Sequence, residues 1–364
     1  MTGGQASAAF QSADRGSGLI EIRELVAMLR ARMPALAAEL LPHGRQHGAE
    51  WRCGDLAGEP GQSLGVHLRG AKAGWWKDFA SGQGGDPLDL IAEVMFRGDR
   101  APAVRWAKGW LGLESMDPAT LAKARKAAQR IAVEAERQQQ VDRARKQRAA
   151  RGLWLSARPV QAGDLVARYL DQRGISLARL GRVPGALRCA DSVLISETAA
   201  MGPAMLAAVL DGAGAQIATH RTFLDPATAT KAALTAPKKV LGEFSGGYIP
   251  IWKGADRSPL HQLPSGRRVI VAEGIEDALS VALALPAERI IAAVSLANIA
   301  LLPLRPGTGP VLIAGQHDAP GSPAAALTDS VMARLRARGF TVGRALPPAG
   351  CKDWNDYVRG GAGG

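Results

Sequence analysis

The spacing of apolar residues changes several times along the chain, and each change predicts a different kind of element. Residues 19–41 carry Leu25, Leu29, Leu36 and Leu40 at helical spacing, with an interruption near Pro34. Residues 50–79 then break into short strands at 51–54, 65–68 and 74–79, separated by Gly turns. The run Gly82-Gln-Gly-Gly-Asp86 leads into a helix over Pro87–Phe96, because Asp followed by Pro is a helix start signal. Residues 117–151 form a long polar helix with Asp117 as cap and Pro118 at its first position; its apolar positions are too few for a core helix. A packed helical pattern resumes over 154–173 and ends at Gly174. Residues 205–210 and 216–223 read as two strands joined by the Gly-rich turn Asp211–Gly214. Beyond them, strand and helix patterns alternate, with strand-like stretches at 268–272, apolar after Arg268, and at 310–314. That predicts a parallel sheet with crossover helices.

The expected organisation follows. Residues 1–18 are small, polar and expected to be disordered. Residues 19–116 form a helical and ribbon-like α+β domain, 117–151 a basic helical linker, 152–260 a basic α+β core, and 261–364 an α/β domain with a parallel sheet flanked by helices. No internal repeat is visible.

Charge adds a partner class. The formal net charge is +12 and the sequence pI about 10.1, which favours a polyanion such as nucleic acid. An Arg-rich composition alone gives the same sum. Cys53, Cys189 and Cys351 are widely spaced and form no C-x-x-C pair, so neither a disulfide framework nor a self-contained zinc site is expected. No apolar run reaches membrane-spanning length and no secretory pattern opens the chain, so a cytoplasmic protein without a membrane partner is expected. No G-x-x-x-x-G-K-[ST] motif occurs, which argues against a P-loop motor.

The candidate chemistry lies at the ends of the apolar runs. Glu273-Gly274 follows one, Gln316-His317-Asp318 follows the other, and Lys352-Asp353-Trp-Asn-Asp356 comes near the end. In an open parallel sheet the carboxyl ends of the strands form the ligand crevice. Carboxylates gathered there repel one another unless a cation sits between them, and Mg²⁺ uses such oxygens together with phosphate.

These residues resemble the Toprim domain of phage- and plasmid-type DNA primases. The resemblance rests on Val271-Ala-Glu273-Gly-Ile-Glu276-Asp277, on Gln316-His-Asp318-Ala-Pro-Gly321 and on Lys352–Asp356. It implies Glu273 and Asp318 as catalytic residues, with Glu273, Gln316, Asp318, Asp353 and Asp356 around Mg²⁺ or Mn²⁺. Gln316 departs from the family, which has Asp there, and removes one formal negative charge. Glu276 and Asp277 read as first-turn helix charges.

Residues 204–239 resemble the basic core that precedes Toprim in primases. This implies Arg221, Lys231, Lys238 and Lys239 as phosphate or nucleic-acid contacts. Residues 50–90 resemble the primase zinc ribbon without most of its ligands. Cys53 stands near the first ligand position but Leu56 follows where His is expected, so no zinc is expected there. Trp75, Trp76 and Lys77 are the ribbon's candidate nucleic-acid contacts. The implied function is metal-dependent nucleotidyl transfer on a single-stranded DNA template, with nucleoside triphosphates as substrates and a separate replicative helicase as a further partner. The alternatives are a catalytically weak single-strand-binding accessory and a Toprim metal-dependent nuclease.

Overall fold

A computed structural model describes residues 20–70, 72–113 and 117–360. The expectation for residues 1–18 lies outside the described residues. The chain divides into two compact units, residues 1–142 and 143–364.

The first unit packs helices against a small antiparallel sheet. Helices α1 (Ile22–Ala31) and α2 (Met33–Leu40) meet around Arg32, with Pro34 at the start of α2. The sheet runs in order from β1 (Arg45–His47) through β2 (Glu50–Cys53), β3 (Leu64–His67) and β4 (Trp76–Asp78) to β5 (Gly84–Gly85). Helix α3 (Pro87–Phe96) starts at the expected signal. The Asp86 side chain accepts from the Leu88 and Asp89 backbone N–H groups, and Asp89 accepts in return from the Asp86 N–H. Helix α4 (Arg100–Trp110) follows. The unit's core gathers Leu25, Leu29, Leu36, Leu64, Val66, Trp76 and Leu90. Cys53 belongs to that core, and its thiol faces the Asp55 carbonyl at 3.3 Å.

Helix α5 (Pro118–Ser156) is longer than its apolar pattern predicts. Asp117 Oδ1 accepts from the Ala119 and Thr120 N–H groups, as a cap should. Within the second unit its end is anchored by Ala150, Leu153 and Trp154.

The packed helix expected over 154–173 is divided. A short strand, β6 (Arg158–Pro159), breaks it, and α6 (Leu165–Gln172) starts afresh with Asp164 as cap. Pro159 cannot supply the N–H that a helix interior needs. A short α7 (Leu177–Leu180) follows. Three long strands, β7 (Leu187–Ile195), β8 (Ala200–Leu210) and β9 (Gln216–Phe223), build an antiparallel sheet with β10 (Lys238–Gly242) at one edge and β6 at the other. Its two faces have different neighbours. Met205, Ala207, Val209 and Ala218 pack into the core shared with the C-terminal sheet, whereas Ala204, Leu206 and Phe223 pack with Leu153 and Trp154 of α5.

The C-terminal sheet has strand order β11 (Ile249–Trp252), β13 (Arg289–Ala292), β12 (Val269–Ala272), β14 (Val311–Ala314), β15 (Val342–Ala345). All neighbours are parallel except β11, which runs antiparallel to β13. Central strand β12 is apolar throughout because both faces are covered. Ile270 and Ala272 face α8 (Ile275–Ala284), and Val269 and Val271 share the opposite core with Ile299, Val331 and Leu335. The last two of these belong to α10 (Pro323–Ala337), and Ile299 ends the short α9 (Leu296–Ile299). Helix α11 (Trp354–Val358) packs on α8. The fold is mixed α/β, parallel in the C-terminal region and antiparallel before it.

Cys53, Cys189 and Cys351 are all buried and form no disulfide. No helix among the described residues is long and apolar enough to cross a membrane.

Candidate functional site

Register brings the strand-end acids together. Ala272 of β12 pairs with Ala314 of β14, so Glu273 and Gly315 leave the sheet side by side, with Gln316 and Asp318 just beyond. A crevice of about 20 Å³ lies there, lined by Glu273, Asp277, Gln316 and Asp318 among others. That is room for one water-sized occupant. Gln316 Nε2 donates to Asp318 Oδ1 at 3.0 Å, and Arg344 Nη2 stands 3.6 Å from Oδ2. Burial raises the Glu273 pKa, a backbone N–H and Lys238 oppose the rise, and Asp318 adds to it.

A larger cleft of about 320 Å³ opens beside this crevice. Glu273, Gln316 and Asp353 reach it from the C-terminal sheet, and Lys231, Lys238 and His220 reach it from the antiparallel one. Between them lies Glu276, with a side chain only 7% exposed. Its Oε1 accepts from the Tyr169 hydroxyl at 2.6 Å and lies 3.4 Å from Lys231 Nζ; its Oε2 accepts from Lys238 Nζ at 2.9 Å. Burial alone would raise its pKa, but the two lysines and the Tyr169 hydrogen bond outweigh burial and hold it well below the usual carboxylate range. Burial, with the negative Glu276 beside it, pushes the Tyr169 phenol up. His220 is neutral, since burial and then the nearby Lys238 pull its pKa to about 4.

Asp277 behaves differently from its neighbour. Burial, then the Asp353 charge, raises its pKa to about 6, although it accepts the Asn355 backbone N–H at 3.0 Å. Asn355 also receives Arg173 Nη1 at 3.1 Å and donates to the Arg173 carbonyl at 2.8 Å, which fixes that arginine at the cleft. Asp353 caps α11 by accepting the Asp356 N–H at 2.8 Å.

The sequence-derived candidates therefore divide. Glu273, Gln316, Asp318, Asp353, Lys231 and Lys238 line the cleft or its crevice, and Asp356 lines neither. Arg221 and Lys239 pair across β9 and β10 on the face away from the cleft. Arg221 lies over the Phe223 ring at 5.7 Å, and Lys239 donates to Ser196 Oγ at 3.0 Å. Alternation along β9 gives the cleft His220 instead. His220, Glu276, Tyr169, Arg173 and Asn355 carry no sequence signal that separates them from core or helix-turn residues.

In the first unit, Trp76 is core, 3% exposed. Trp75, Lys77 and Phe79 alternate with it on the exposed side. Lys77 Nζ and the Arg52 guanidinium lie 5.7 and 5.9 Å from the Phe79 ring centre.

Among the described residues, no three His, Cys, Asp or Glu side chains converge into a metal cage. The donors still suit Mg²⁺, which keeps waters and is held through one or two carboxylates plus substrate phosphates. Glu273 and Asp318 supply carboxylates beside a crevice of one-ion size.

Residues 268–363, the segment that holds these acids, match the Toprim domain family. The C-terminal part of this chain is a Toprim domain. Residues 144–251, which supply the lysines facing the Toprim acids, match a domain of unknown function, DUF7146. No curated protein matches the chain. Among solved structures, it is similar to the zinc-binding and RNA polymerase domains of the Aquifex aeolicus primase, at 14% identity and a TM-score of 0.39, covering 92% of this chain and 82% of that one. A DNA primase domain from Pseudomonas aeruginosa matches at 17% identity and TM-score 0.40, covering 59% and 74%. The primase fragment of the bacteriophage T7 primase-helicase matches at 16% and 0.35, covering 57% and 76%.

Proposed function

We propose that the chain is a primase-type nucleotidyltransferase that joins nucleoside triphosphates on a single-stranded DNA template during replication. One observation carries the reading: Glu273 and Gln316 of the Toprim domain share a single cleft with Lys231, Lys238 and Arg173. Phosphoryl transfer needs positioning and charge neutralisation more than covalent chemistry from the protein. In the reaction a 3′-hydroxyl oxygen bonds to the α-phosphorus of a triphosphate, and the bond to the pyrophosphate leaving group breaks. Lys231, Lys238 and Arg173 hold phosphate oxygens. Glu273 is placed to take the proton of the attacking hydroxyl. Mg²⁺ or Mn²⁺, held by Glu273, Asp318 and a rotated Gln316 amide together with substrate phosphates, would supply the remaining charge neutralisation. A replicative helicase fits as a further partner of such an activity.

A second reading is a single-strand-binding accessory of replication. Asp318 favours it, since that carboxylate already faces Arg344 and the Gln316 amide.

The deciding experiment is primer synthesis on single-stranded DNA with labelled nucleoside triphosphates and Mg²⁺ or Mn²⁺. We predict short products that disappear in Glu273→Ala. Absence of products from a wild-type protein that still binds DNA salt-sensitively would overturn the transferase reading and leave the accessory one.

A further inference from the structure

The second unit contains another concavity, of about 790 Å³, that shares no lining residue with the acid–lysine cleft. Its walls come from the end of α5, the turn between β8 and β9, and β11. Ligand pockets for small molecules commonly enclose about 300–1,000 Å³.

Its lining is aromatic below and cationic at the rim. Trp154, Tyr248 and Trp252 contribute to the walls. Both indole N–H groups are already satisfied, Trp154 by the Ala186 carbonyl at 2.8 Å and Trp252 by the Pro286 carbonyl at 2.7 Å. Their remaining surface is carbon. Arg148, Arg151, Arg182 and Lys253 also line the cavity, and no Asp or Glu does. None of these four makes an ion pair with a carboxylate among the described residues; Arg182 lies over the Trp252 ring at 4.2 Å. Four cations around one apolar hollow repel one another until an anion joins them.

Two of the lining residues also carry a buried nitrogen without a partner. Arg289 is 4% exposed and gives Nη2 to Asp256 at 2.5 Å, but its Nε has no partner. Nδ1 of His261, another lining residue, is likewise buried and unpartnered. Buried polar atoms of this kind call for hydrogen-bonding partners.

We infer that this cavity binds a free nucleoside phosphate, with the base against the Trp154 and Trp252 walls and the phosphates on the Arg148–Arg151–Arg182 rim. The inference stands apart from the proposed transferase activity, since it uses none of the cleft residues.

Equilibrium dialysis of labelled ATP and GTP against the full chain in EDTA tests it. Arg148 and Arg151 lie on the cavity rim with no carboxylate partner, so Arg148→Glu/Arg151→Glu should leave the circular dichroism spectrum and melting temperature unchanged. That variant should bind roughly tenfold or more weakly, as expected on removing charge-assisted hydrogen bonds. Lys231→Ala/Lys238→Ala should keep this binding, because the cleft takes a triphosphate together with the divalent metal that EDTA removes. Retained binding in the first variant with loss in the second would place the nucleotide in the cleft and overturn the inference. So would the absence of nucleotide binding by the wild type. An oligothymidylate that displaces the nucleotide and itself needs Arg148 and Arg151 would overturn it too, by assigning the cavity to a strand instead of a free nucleotide.

Discussion

His220 sits where two sheets meet and carries no charge at neutral pH. Its folded pKa of about 4 lies below the ordinary value near 6.5, because burial and Lys238 disfavour the imidazolium. Between these values the unfolded chain takes up a proton that the folded cleft refuses. Stability therefore falls as pH drops through that window, by an amount on the order of 3 kcal/mol for this one group. Urea unfolding should show it: the wild type should lose stability between about pH 7 and about pH 5 faster than His220→Asn does. Parallel losses would show that His220 is not held neutral. The same residue marks a limit of sequence reading. Arg221 draws attention as a cation beside a Gly turn, yet strand alternation sends it away from the cleft and its neighbour into it. Glu276 is equally hidden. At the start of a helix an acid reads as a dipole partner; its lysines come from a segment about forty residues earlier, which no local spacing reveals.

At the scale of elements, β10 offers a direct comparison. Lys238 and Lys239 are adjacent in sequence and on opposite faces of one strand. Lys238→Ala should weaken binding of single-stranded DNA by roughly tenfold, the usual effect of deleting a charge-assisted hydrogen bond, while Lys239→Ala should stay near the wild-type value. Equal effects, read by fluorescence anisotropy with labelled oligonucleotide, would contradict the face assignment. Strands β12 and β14 are legible in the sequence because burial on both faces demands unbroken apolar runs. Helix α3 is legible because its cap chemistry is local. The break at Pro159 is masked because helical spacing on either side continues the pattern across it. Strand β7 gives no clear signal; charged and apolar residues mix in it because its burial varies along its length. The Toprim acids are legible as a strand-end pattern, but the pairing of Asp318 with Arg344, which lies on another strand, is not.

For the molecule as a whole, the net charge of +12 predicts binding that weakens steeply with salt. On single strands the logarithmic salt slope is about −0.7 per phosphate neutralised. Lys231→Ala/Lys238→Ala should therefore flatten the slope by about 1.4, if both lysines meet phosphate. An unchanged slope would mean that neither does. The three thiols described above have a separate consequence at this scale. Cys53 lies in the sheet of the first unit, Cys189 in the long antiparallel sheet, and Cys351 just before the Lys352–Asp356 segment. All are buried, and burial raises the Cys53 thiol to about 11 and the Cys189 thiol as well. A buried thiol reacts only when its surroundings open. Alkylation followed by peptide mass mapping would thus time the opening of each region separately in the unaltered protein, with no introduced label.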